Sequence, residues 1–119
     1  MTDQGAVPVR GFLLHLTHYD PRWYKRKSRE RPFDLDLASE ILETMAGVGL
    51  NLVIIDCADA VAYASHPELA RRYTVPMSQL AQLARRAREL GIEVVPKLNF
   101  AQSHYHHHND WFRPYNDLF

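Results

Sequence analysis

Three short apolar runs, separated by two stretches of helical periodicity, constrain this chain more than any other feature. The runs are "RGFLLHLTH" at residues 10–18, "NLVIIDC" at 51–57 and "IEVVPKLNF" at 92–100. Each is rich in Leu, Ile or Val and bounded by glycine or polar residues. Such near-continuous apolarity is the pattern of strands buried on both faces, as in parallel sheets. Between the first two runs, Leu37, Ala38, Ile41, Leu42, Met45 and Val48 fall on one helical face. Asp34 is placed to cap that helix, and Gly47 and Gly49 suit its C-terminal end. Between the second and third runs, Met77, Leu80, Leu83, Ala84, Ala87 and Leu90 repeat the stripe. Pro76 fits the first turn, Gly91 terminates it, and Arg85, Arg86, Arg88 and Glu89 form its wet face.

The expected order is therefore β-α-β-α-β, an α/β fold. "GLNLVII" from Gly49 and "GIEVVPK" from Gly91 resemble each other 42 residues apart, as a repeated unit would. Helix-linked parallel strands take right-handed crossovers, which leaves a doubly wound sheet or a (β/α)8 barrel. "LTHYDPRWY" after the first strand contains no glycine, so a phosphate-binding loop is not expected there. Long polar and aromatic segments follow the strand C-termini, where barrel enzymes keep their sites. A barrel needs on the order of 250 residues. Residues 1–119 are accordingly expected to be the N-terminal part of a single TIM-barrel domain, a fragment with an open sheet edge.

Fourteen basic residues balance fourteen acidic ones, so charge points to neither nucleic acid nor an anionic membrane. The charge run "KRKSRER" at 25–31 is expected to be a solvated loop. Cys57 is the sole cysteine, which excludes an intrachain disulfide and a cysteine-based zinc cluster. It lies in an apolar run and is expected to be a small core residue. "MTDQGAVPVR" lacks a signal pattern, and no apolar run approaches the roughly 20 residues of a membrane span. A cytoplasmic location is the default expectation, with no membrane and no nucleic acid among the partners.

Barrel geometry would gather the strand ends on one face. The first end carries His15, Thr17, His18, Tyr19, Asp20, Arg22, Trp23 and Tyr24. Asp56, Asp59, Tyr63 and His66 follow the second strand. Lys97, Asn99, Gln102, the histidines from His104 to His108, Asp110 and Trp111 follow the third. Aromatic rings stack on apolar sugar faces, and the polar groups bind hydroxyls directionally, the mixture a polyol cleft needs. Bland roles compete: the aromatics could pack under loops, and Asp56 could cap a turn. Lys97 is costly to bury unless paired, which favours a site role but leaves a salt bridge open. His104 and His106 form an H-x-H pair, while His15 and His18, three apart, would face opposite sides of a strand. No nearby Glu completes a zinc pattern, and no metal or cofactor is expected.

"VRGFLLHLTHY", then "GLNLVIIDCAD", "HPELARRYT", "ARELGIEVVPKLNF" and "SH", resembles the start of the catalytic barrel of family 20 glycoside hydrolases, the β-hexosaminidases. The resemblance runs over residues 10–104. It implies a carbohydrate-active barrel. Arg10 matches the family arginine that binds hydroxyls of the terminal sugar. Asp59 matches the acidic residue closing the strand-two motif, and His104 the histidine of Pro-Gly-His. Family histidines of strand two are replaced by Ile54 and Asp56, and the strand-three Glu and Asp by Lys97 and Asn99. The family's catalytic Asp-Glu pair lies on strand four, beyond Phe119, so the resemblance does not extend to hexosaminidase activity.

The reading that follows is a glycoside-hydrolase-like barrel acting on a carbohydrate substrate, with two later carboxylates as acid and as base or nucleophile. Arg10, Asp56, Asp59, Lys97, Asn99, His104 and Trp111 are the expected substrate-binding residues. Arg10 precedes Gly11 at the start of a strand expected to be buried, where an unpaired guanidinium would be expensive. Its competing role is a salt bridge at the barrel floor, since strand starts lie away from the C-terminal face. Two other classes stay open: a metal-dependent barrel hydrolase or isomerase using His104, His106 and Asp110, and a non-catalytic carbohydrate-binding barrel.

Overall fold

The structure, a computed structural model, describes residues 5–16, 32–57, 60–70 and 74–98. The elements run β1 (Gly11–His15), α1 (Leu35–Gly47), β2 (Leu52–Asp56), a one-turn 3-10 helix (Pro67–Leu69), α2 (Met77–Glu89) and β3 (Glu93–Lys97). The β-α-β-α-β order read from the sequence is present. Both strand pairings are parallel, in the order β1-β2-β3. Gly11 to His15 pair with Leu52 to Asp56, and these with Glu93 to Lys97, without a slip.

Both helices lie on one face of this sheet. Strand order is sequential, so two crossovers of the same hand must leave their helices on the same side. Val53 and Ile55 point into that layer and are fully buried with Ala38 and Leu42 of α1 and Leu83 and Ala87 of α2. Arg86 of α2 reaches Glu43 of α1 and Glu89 of its own helix, pinning the helices side by side.

The turns follow the chemistry expected of them. Asp34 accepts the backbone N–H of Leu37 at 3.0 Å, satisfying one orphan donor of the first turn of α1. Gly49 and Gly91 take positive φ (+89° and +74°), where L-residues with a Cβ are strained, and so turn the chain from each helix into the next strand. Gly47 closes α1 as its last helical residue.

Two expectations are corrected. Continuous apolarity implied strands covered on both faces, but Leu13 and Val95, on the face away from the helices, are 46% and 36% exposed. The helical stripes also overreach: Leu37, Val48 and Met77 are exposed. Val48 and Met77 stand at the helix ends, and Leu37 is turned about 100° around α1 from the buried Ala38, while Leu35, closer to the helix start, packs on the core. No helix among the described residues is long and apolar enough to cross a membrane.

Candidate functional site

The unslipped register sorts the side chains into rows across the sheet. On the face away from the helices the rows are Gly11-Leu52-Glu93, then Leu13-Ile54-Val95, then His15-Asp56-Lys97. The last row stands at the C-terminal ends of all three strands. Its polar side chains meet: Lys97 Nζ donates to Asp56 Oδ2 at 2.8 Å, and His15 Nδ1 stands 3.4 Å from the same oxygen. Asp56 is the most enclosed of the three, with an 18% exposed side chain against 39% for Lys97 and 56% for His15. Cys57 N–H donates to the Lys97 carbonyl at 3.0 Å, holding the two strand ends together one residue past the last paired row.

The segment between β2 and α2 closes back on itself beside this row. Val75 N–H donates to the Ala60 carbonyl at 2.7 Å, and Ala62 N–H to the Val75 carbonyl at 3.0 Å. Ala60, Val61, Leu69 and Val75 are buried in this fold-back, which anchors the loop to the core. His66 Nδ1 and Glu68 Oε1 pair at 3.0 Å on its outer surface. Glu68's own backbone N–H, and secondly His66, hold its carboxyl below the ordinary carboxylate value. Burial, and then the charge of Asp56, push the Cys57 thiol above its ordinary value, so it behaves as a core residue and not as a thiolate nucleophile.

Of the residues singled out in the sequence, the structure brings Asp56 and Lys97 into direct contact. The salt bridge left open for Lys97 is formed, and Asp56 is its partner. Arg10 lies apart from them, one residue before β1 and five before His15, about 17 Å along the strand. It is exposed, which corrects the expectation of a buried guanidinium. Its Nη1 lies over the turn at Gly49, 3.4 Å from where a β-carbon would stand there. Asp59, Asn99, His104 and Trp111 lie outside the described residues, as do His106 and Asp110.

Two residues were not singled out as binders or anchors. His15 stands among the strand-end residues in the sequence, and only the register joins it to Asp56. Asn51, just before β2, is an anchor: its Oδ1 accepts Arg10 N–H at 2.8 Å and its Nδ2 donates to the Pro8 carbonyl at 3.1 Å. An asparagine immediately before an apolar run was the available signal for it.

No family model and no curated protein matches the chain. Among solved structures it is similar to "A Glycoside Hydrolase Family 20 beta-N-Acetylglucosaminidase", with a TM-score of 0.56 and 16% sequence identity over 77% of this chain. The chain spans 20% of that structure's length. At this identity the likeness concerns fold alone: a mixed α/β unit distantly resembling part of that enzyme.

Proposed function

We propose that residues 1–119 form the N-terminal part of a (β/α)8 barrel of glycoside-hydrolase type that acts on a carbohydrate. The observation that carries this reading is the one-sided sheet. Sequential parallel strands have both helices on one face and an apolar row, Leu13-Ile54-Val95 with Leu13 and Val95 exposed, on the other. In a closed barrel that second face is the interior, filled by layers of side chains from alternate strands. The polar row His15-Asp56-Lys97 then stands at the C-terminal mouth, where such enzymes bind substrate. The structural likeness to a family 20 enzyme supports the same fold.

In this reading Asp56 and Lys97 face the sugar from the described strand ends. Asp59, Asn99, His104 and Trp111 contribute from the segments that follow β2 and β3. Arg10 belongs to the floor of the barrel. Later strands supply the catalytic carboxylates, and residues 1–119 alone do not hydrolyse glycosides. The test is to incubate the full-length protein with a panel of chromogenic aryl glycosides, and to measure methyl glycoside binding by calorimetry. Cleavage or binding of a glycoside, weakened by Asn99→Ala, is the expected result. Absence of both across the panel refutes the carbohydrate reading.

A further inference from the structure

The row at the strand ends contains a residue that the carbohydrate reading has not used. His15 presents Nδ1 to Asp56 Oδ2 and is more than half exposed on its other side. A carboxylate oxygen only accepts hydrogen bonds, so its place beside Nδ1 favours the tautomer with the proton on Nδ1, which leaves Nε2 as an acceptor. The 3.4 Å separation is long for a hydrogen bond. The approach leaves Asp56 largely unconsumed, since its close hydrogen bond goes to Lys97. Asp56 Oδ1 accepts no hydrogen bond among the described residues. The Lys97 ammonium has three N–H donors and uses one on Asp56.

We infer that His15 is a ligand-contacting residue, and that the His15-Asp56-Lys97 row binds two adjacent hydroxyls of a neutral ring. This rests on the carbohydrate reading above and names the part of the sugar that the row reads. A hydroxyl both gives and takes a hydrogen bond. One hydroxyl donates to His15 Nε2, and its neighbour takes an N–H of Lys97 and donates to Asp56 Oδ1. The charges of Asp56 and Lys97 cancel within the row, so an anionic ring would meet the carboxylate and a cationic one the ammonium. Directly beneath, on the same face, Leu13, Ile54 and Val95 offer an apolar floor.

Two substitutions at His15 separate contact from support. His15→Asn keeps an N–H close to the position of Nδ1, and so keeps the approach to Asp56, but has nothing at the position of Nε2. His15→Gln reaches the outer position and gives up the inner one. The probes are methyl glycosides of glucose, galactose and N-acetylglucosamine with the full-length protein, with glucuronate and glucosamine as charged counter-probes. Losing one hydrogen bond to a ligand corresponds to roughly tenfold weaker binding. His15→Asn is therefore expected to weaken the neutral glycoside about tenfold, and His15→Gln about threefold or less. The ¹⁵N resonance of His15 Nε2 in the unaltered protein should move on titration with the same glycoside, which keeps the test valid if a variant misfolds. The inference is overturned by a glycoside that binds without moving that resonance, by the reverse order of the two variants, or by tighter binding of glucuronate or glucosamine. In each of these cases carbohydrate binding itself survives. If no glycoside binds the unaltered protein, both readings fall together.

Discussion

The Asp56–Lys97 contact can be weighed by a double-mutant cycle with Asp56→Ala, Lys97→Met and the pair combined. At 2.8 Å two unit charges attract by roughly 6 kcal/mol at an effective dielectric of about 20 and by roughly 1.5 kcal/mol in bulk water. Neither limit applies unmodified. The Lys97 side chain is 39% exposed and that of Asp56 18%, so the pair is half screened and half desolvated. The net coupling is expected at about 1–2 kcal/mol, above the ~0–1 kcal/mol of open surface pairs and below the ~3–5 kcal/mol lost on breaking a buried one. The two single variants should also differ. Lys97→Met strands the more enclosed carboxylate, whose remaining described neighbour is His15 at 3.4 Å. Asp56→Ala frees a lysine whose long stem can carry the ammonium to water. Lys97→Met should therefore cost about 2 kcal/mol and Asp56→Ala about 1, with the double variant well short of their sum. Urea unfolding monitored by far-ultraviolet circular dichroism measures all four corners. Additivity within about 0.5 kcal/mol, or a larger loss from Asp56→Ala, would show that the contact does not organise the strand ends.

Further outcomes follow from single positions. Gly49→Ala should destabilise by about 1–2 kcal/mol, because an L-residue is forced to φ +89°. Gly47→Ala, two residues earlier, should stabilise by about 0.5–1 kcal/mol, since it ends a helix and nothing beyond its chain neighbours and its own helix backbone lies within 4 Å of the added carbon; thermal melts of the two would show opposite signs. Cys57, the only thiol of the chain, should resist Ellman's reagent until the protein unfolds. Its thiol is raised above 9.0 in the fold, so below that pH both states hold the proton and nothing changes. Above it the unfolded chain loses its proton first, and this group's contribution to stability declines with rising pH; a thiol-specific rise in stability in alkali would contradict the burial argument. Asn51→Ala removes two exposed hydrogen bonds and should lower stability by about 1–2 kcal/mol. It should speed amide exchange in β1 before that in α2, and equal acceleration in both would refute the anchoring role.

Element type was legible because periodicity is a local property. Ala38, Leu42, Leu83 and Ala87 recur at helical spacing and are buried together. Asp34, Gly49 and Gly91 are recognisable caps because each satisfies a backbone need that few residue types meet. Register was not legible. A helical crossover can deliver the next strand one residue higher or lower without changing any local pattern. Lys97 therefore had a salt bridge among its possible fates without a named partner, and His15 could not be joined to Asp56. Exposure at the edges was misjudged for a related reason. An apolar run does not show how completely each face is covered, and among the described residues Leu13 and Val95 are only partly covered while the flanking Arg10 is exposed.

The register that builds the polar row is set at the opposite end of the sheet. Asn51 N–H and Leu52 N–H both donate to the Arg10 carbonyl, at 2.9 and 3.2 Å, while the Asn51 side chain holds the backbone on either side through Arg10 N–H and the Pro8 carbonyl. The Asn51 carbonyl accepts Glu93 N–H at 2.9 Å. One residue thus fixes where β1 and β3 begin relative to β2. Side chains alternate along a strand, so a one-residue slip of β1 would turn His15 toward the helices and bring Leu14 beside Asp56. The same slip would place Leu13 in the helix-facing layer against Val53 and Ile55, which are already fully buried. The rows persist because the core rejects the alternative and Asn51 selects among the rest. The chemistry at the strand ends therefore depends on an asparagine about 17 Å away along five residues of strand, on the floor side of the sheet, where Arg10 also lies.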